Sequence, residues 1–175
     1  MPFRVWDDAY YRPASSSGGR VTASFCRGSV GPPDTFEMKY QDVILSIKAI
    51  EYEQGITVNI ELEIPPGKEV NFKNDPVTIF ASSDREPYKG MLERYDGLEF
   101  LKPMVGGKKV LFNAFGTTHY KNNKFALFKS IAMPKSETIK VKLPNFTIND
   151  QLVEIPEITF SKKDSYLEFF MPINC

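Results

Sequence analysis

His119 is the sole histidine of this 175-residue chain, which excludes any centre needing two imidazoles and leaves zinc to two distant cysteines and carboxylates, a poor donor set. It follows Thr117-Thr118 and precedes Tyr120 in a stretch read as a loop or hairpin end. No local signature around His119 or Cys26 marks a nucleophile with its base. Carboxylate pairs such as Asp7-Asp8 and Glu61 with Glu63 are present, but nothing in the pattern desolvates one member, as general-acid work requires. Gly106-Gly107-Lys108 shares two glycines and a lysine with a phosphate loop. It lacks the full spacing and precedes a strand pattern, so it reads as a hairpin turn. Asn145-Phe146-Thr147 is a glycosylation triplet of a kind that arises by chance in a protein this long. The chain is therefore expected to be no enzyme and to hold no metal or cofactor.

The strongest chemical signal is electrostatic. Lys102, Lys108, Lys109, Lys121, Lys124, Lys129, Lys135, Lys140 and Lys142 lie between Leu101 and Asn145 against one acid, Glu137, although the whole chain balances 22 basic against 22 acidic residues. Such a block must face acidic segments of its own molecule or something anionic outside it. Phe112, Phe115, Tyr120, Phe125 and Phe128 are interleaved with it, the recipe of a groove that stacks bases while cations follow the backbone. Two arguments oppose that reading. On a half-buried strand Ile139, Val141 and Leu143 point inward, so Lys140 and Lys142 form its wet face, and Glu51, Glu53, Glu61 and Glu63 could lie opposite in one sheet. The block also lacks arginine, the residue that forks onto phosphate, which disfavours sequence-specific nucleic-acid recognition.

These residues point to a non-catalytic binding or assembly module that meets another protein or an anionic ligand, with a lysine-rich region against an acidic partner. The candidate contacts are Lys108, Lys109, Lys121, Lys124, Lys129, Lys140 and Lys142, with His119 and Tyr120. Eight tyrosines, fourteen phenylalanines and Trp6 motivate a carbohydrate-binding module as the alternative, and loop carboxylates with His119 motivate a hydrolase as a third.

With 42% hydrophobic and 25% charged residues the chain has globular composition and enough length to bury a core. No apolar run reaches the roughly 18 residues of a membrane span, and no signal-like segment opens the chain, so it reads as soluble, and as extracytoplasmic only if a signal was trimmed. Cys26 and Cys175 have no CxxC partner, which leaves two free thiols as the simplest reading.

What positions these residues is a period of two. Val58, Ile60, Leu62 and Ile64 alternate with Asn59, Glu61 and Glu63, preceded by a 42–50 strand across Glu53-Gln54-Gly55, which predicts a hairpin that ends at Pro65-Pro66-Gly67. Further strands are expected over 69–72, 77–82, 108–115, 124–131, 137–143, 152–160 and 166–171. Asn149-Asp150 forms a second hairpin turn, and Pro156 sends its strand to an edge or a bulge. Tyr88, Met91, Leu92 and Tyr95 follow helical spacing, which allows one short helix near 86–96. The expected architecture is all-β, an antiparallel two-sheet sandwich of immunoglobulin-like character over residues 20–175. A flexible N-terminal arm, residues 1–19, precedes it, ending in Ser15-Ser16-Ser17-Gly18-Gly19, with Trp6, Tyr10 and Tyr11 able to dock back onto the domain.

Overall fold

The computed structural model describes residues 3–6, 9–15, 18–23, 25–26, 29–52, 55–82, 86–94, 104–105, 108–114, 117–121, 124–128, 136–164 and 166–169. Within them the fold is all-β, and every strand pair is antiparallel. Alternation builds the central hairpin. Val43–Tyr52 and Gly55–Ile64 pair from Ile44 opposite Glu63 to Tyr52 opposite Gly55. That register puts Leu45, Ile47 and Ala49 on one face with Val58, Ile60 and Leu62, and all six are buried. Thr35–Tyr40 joins through Gln41 and Asp42, whose φ values of 46° and 70° form the left-handed two-residue turn that matches strand twist. Arg20–Thr22 closes one side of this six-stranded sheet, while Lys108–Ala114 and then Glu93–Arg94 close the other.

A five-stranded sheet runs in the order Tyr88–Gly90, Val77–Ala81, Thr138–Lys142, Ile158–Lys163, Tyr10–Pro13. A third sheet orders Met104–Val105, Glu69–Phe72, Phe146–Ile148 and Gln151–Val153. The inner faces of all three meet in one core, where Phe36, Ile47 and Leu62 share a cluster with Ile79, Val141, Phe160, Val70 and Phe146. Three separate ribbons complete the described strands: Phe3–Trp6 with Tyr166–Phe169, Phe25–Cys26 with Ser29–Val30, and Thr117–Lys121 with Lys124–Phe128.

Prolines and glycines decide where the chain changes sheet. Pro65-Pro66-Gly67 ends the Gly55–Ile64 strand as expected, with Gly67 at φ 81°, and the chain re-enters the four-stranded sheet at Glu69. Its neighbour crosses at the same level, because Val105 pairs with Glu69 and Lys108 with Ile64. The strands flanking Gly106-Gly107 therefore belong to different sheets and form no hairpin with each other. Pro156 acts likewise. The single 152–160 strand expected from sequence is two strands, Gln151–Val153 at the edge of one sheet and Ile158–Lys163 inside another. A residue that cannot donate to a ladder is placed where no ladder exists. The Asn149-Asp150 turn is left-handed at both positions, φ 47° and 66°, and Asn149 Oδ1 accepts the Glu69 N–H at 2.9 Å.

Two expectations need correction. The short helix near 86–96 is absent over the described residues 86–94, which form the strands Tyr88–Gly90 and Glu93–Arg94. Pro87 and Gly90 disfavour continuous helix, and Tyr88 pairs instead with Ile79 and packs against the core. Residues 10–13, expected in a flexible arm whose Tyr10 and Tyr11 could dock back onto the domain, are the edge strand of the five-stranded sheet, and Tyr11 does dock, fully buried. Their own alternation accounts for this, since Tyr11 and Pro13 point inward while Arg12 is exposed. Pro13 suits an edge, where one side of the strand has no ladder to satisfy.

The connection from this edge strand to the six-stranded sheet passes over Gly19, where a Cβ would stand 2.4 Å from the Phe36 ring, 2.7 Å from the Glu37 carbonyl oxygen and 2.8 Å from Met38. One of those neighbours is backbone and cannot rotate away. Gly19→Ala is expected to lower stability by about 1–3 kcal/mol, and a urea unfolding midpoint unchanged from the parent would refute the close approach.

Candidate functional site

The outer face of the five-stranded sheet gathers cations from four strands. Cross-strand register places Lys89 and Lys142 on either side of Thr78, and Phe80 and Thr159 on either side of Lys140. Arg12 stands opposite Ser161 and Lys163 opposite Tyr10. The alternate positions, Ile79, Val141, Ile158, Phe160 and Tyr11, are the core. Side chains of adjacent strands at the same level lie within reach of one another, so Arg12, Lys89, Lys140, Lys142 and Lys163 make one surface, and all are exposed. Phe80, 39% exposed, sits among them. Among the described residues the ion pair on this face is Lys140 with Glu157, at 3.7 Å.

The six-stranded sheet treats its cations differently. Arg20 is bonded to Glu37, Lys39 Nζ stands 3.0 Å from Asp42, and Lys48 Nζ 2.6 Å from the buried Asp34. Asp34 also accepts the Thr35 hydroxyl at 2.9 Å. Arg20, Lys39 and Lys48 are thus each bridged to a carboxylate, whereas among the described residues Arg12, Lys89, Lys142 and Lys163 show no such bridge.

The lysine-rich block of the sequence is divided by the fold. Lys140 and Lys142 stand on the basic face. Lys108 and Lys109 belong to the six-stranded sheet, where Lys109 is opposite Glu63, so an acid does lie across from part of the block. His119, Tyr120 and Lys121 lie on one strand of a two-stranded ribbon and Lys124 on the other, with Lys121 opposite Lys124 and His119 opposite Ala126. Lys129 lies outside the described residues. The residues missed by sequence reasoning are Arg12, Lys89 and Lys163. Each alternates with a core residue in its own strand, but pairing across 149 positions between Arg12 and Ser161 leaves no local trace. The arginine missing from the block is supplied from the N-terminal edge.

Behind this face a polar seam joins the two larger sheets. Tyr11 donates its hydroxyl to the Ser136 carbonyl at 2.7 Å, and Ser136 Oγ lies 2.8 Å from Ser82 Oγ while donating to the Thr138 carbonyl at 2.8 Å. Lys162 Nζ lies 3.2 Å from both carboxylate oxygens of Glu51 on the opposite sheet. Burial, then the Glu51 carboxylate, push the Tyr11 hydroxyl well above the usual phenol range. These groups engage one another and serve as struts. A cavity of about 180 Å³ beside them is lined by Tyr10, Asp34, Lys48 and Glu51, with both carboxylates engaged by lysines.

Among the described residues no group of three or more His, Cys, Asp or Glu side chains is placed to hold a metal ion, and no helix is long and apolar enough to cross a membrane. Asn145 of the glycosylation triplet is half-buried, its Oδ1 accepting the Ile155 N–H at 3.3 Å. No family model, curated protein or solved structure matches the chain.

Proposed function

We propose that this protein is a non-catalytic binding module that docks an acidic protein partner on the outer face of its five-stranded sheet. The observation that carries the reading is the contrast in charge pairing. In a chain with zero formal net charge, Arg12, Lys89, Lys142 and Lys163 project from one face with no carboxylate bridge among the described residues, whereas Arg20, Lys39 and Lys48 are each bridged. A concentrated positive surface steers an acidic partner and fixes its register. Phe80 supplies an apolar centre of the kind that dominates docking energy. The face presents lysines and threonines from adjacent strands, which suits surface-to-surface contact more than chemistry on an enclosed substrate.

The test uses polyglutamate as the probe. The triple variant Arg12→Gln/Lys142→Gln/Lys163→Gln is expected to bind it about tenfold or more weakly at low salt. A matched variant away from this face, Arg20→Gln/Lys39→Gln on the six-stranded sheet with Lys73→Gln in the exposed segment just after the Glu69–Phe72 strand, removes the same charge and should change binding little. Equal losses in the two would mean that overall charge alone matters, and the reading fails. Tighter retention of single-stranded DNA than of polyglutamate would redirect it to nucleic acid.

A further inference from the structure

At one corner of this face the structure holds an open cleft of about 400 Å³, lined by Arg12, Pro13, Ala14, Ser15, Val21, Ser161 and Lys163. We propose that the cleft is a binding site for a tetrahedral oxyanion, specifically the phosphate group of a monoester. The inference rests on the docking role of the basic face and names the group recognised at its edge. Arg12 offers a planar fork of donors and Lys163 a rotatable ammonium, the two cations that bind phosphate in complementary ways. Ser15 and Ser161 add hydroxyl donors.

Their arrangement follows from the fold. Arg12 is opposite Ser161, and Lys163 is two residues farther along the same strand on the same face. Ala14 N–H donates to the Thr159 carbonyl at 2.8 Å, which extends the pairing by one residue and sets where Ser15 begins to turn. Gly18 N–H then donates to the Ser15 carbonyl at 3.3 Å, which holds Ser15 in place at the cleft. Among the described residues no acidic side chain lines the cleft. Pro13, Ala14 and Val21 give it an apolar side, and its volume exceeds what a bare tetrahedral anion fills, so an organic group carrying the phosphate has both room and a surface to rest on.

The experiment follows backbone amide shifts of the full chain during titration with N-acetyl-phosphoserine methylamide, inorganic phosphate and sodium chloride at constant ionic strength. Saturable shifts at Ser15, Ser161 and Lys163 are expected with the ester. Arg12→Gln should weaken its affinity about tenfold, and Arg12→Lys should recover only part of it, because the fork is lost while the charge stays. Tighter binding of the ester than of inorganic phosphate assigns the monoester, and equal binding assigns the anion alone as the recognised group. Arg12 is exposed on an edge strand, so unchanged far-ultraviolet circular dichroism is expected of both variants. Shifts no larger than those from chloride, or an Arg12→Gln affinity equal to the parent's, would overturn the site. Polyglutamate binding that persists while phosphate binding is absent would sink this inference and leave the docking reading standing; the converse would sink the latter alone.

Discussion

Tyr11→Ala is expected to lower the free energy of unfolding by about 3–5 kcal/mol, the cost of emptying a fully buried aromatic site that cannot collapse. Tyr11→Phe, which keeps the ring, should lose about 1–3 kcal/mol because the buried Ser136 carbonyl then lacks its 2.7 Å donor. Urea denaturation of the two variants separates ring from hydroxyl. The same residue predicts an alkaline limit. Its folded-state pKa is raised above the ordinary phenol value, as is that of Tyr40, both chiefly through burial. A raised pKa means that folding favours the protonated form. The stabilisation is whole below the unfolded-state pKa and declines as pH climbs above it, by up to about 1.4 kcal/mol per pH unit for each such group. Stability should therefore be flat with respect to these groups up to about pH 9 and fall steeply from pH 10. Tyr11→Phe should lessen that slope. A Tyr11→Ala protein as stable as the parent would show that residues 10–13 do not belong to the fold.

Such a result would also bear on what was legible in the sequence. The second strand of the central hairpin was readable because its period of two is uninterrupted from Val58 to Ile64 and its four apolar positions there are β-branched or leucine. Asn149-Asp150 was readable because left-handed residues between apolar runs are chemically marked. Gln41-Asp42 makes the same turn with less marked chemistry. Residues 10–13 were misplaced because the following Ser-Ser-Ser-Gly-Gly stretch resembles a linker, yet its close approach to Phe36 at Gly19 makes the glycine a packing requirement rather than slack. The 86–96 segment misled because four apolar residues at helical spacing also satisfy short strands when a proline and a glycine break them. For the basic face the obstacle was of another kind. Local alternation shows which lysines are outward, but which outward lysines become neighbours depends on strand order, and the order 88–90, 77–81, 138–142, 158–163, 10–13 is long-range throughout. A run of charge along the chain is thus a weaker guide to a charged surface than a few cations on strands that the core forces together.

The strut between the sheets supplies the second large effect. Lys162 and Glu51 are 14% and 13% exposed at their side chains, and the ammonium sits 3.2 Å from each carboxylate oxygen. Removing one partner strands the other charge where water reaches it poorly. Lys162→Met is expected to cost about 3–5 kcal/mol, whereas replacing both, Glu51→Leu with Lys162→Met, should cost far less and could be neutral, because the desolvation penalty of both ions is then relieved. Tyr11 makes the cycle more telling, since its hydroxyl is raised by the same Glu51 carboxylate. Taking away that carboxylate should lessen the alkaline loss of stability, because the folded-state phenolate is then less opposed and the folded pKa is less raised above the unfolded one. Urea unfolding of the two single variants and the double variant, each at pH 7 and pH 11, measures both quantities. A double variant as unstable as the sum of the singles would mean the two side chains act independently, and the five- and six-stranded sheets would then be held by their apolar faces alone.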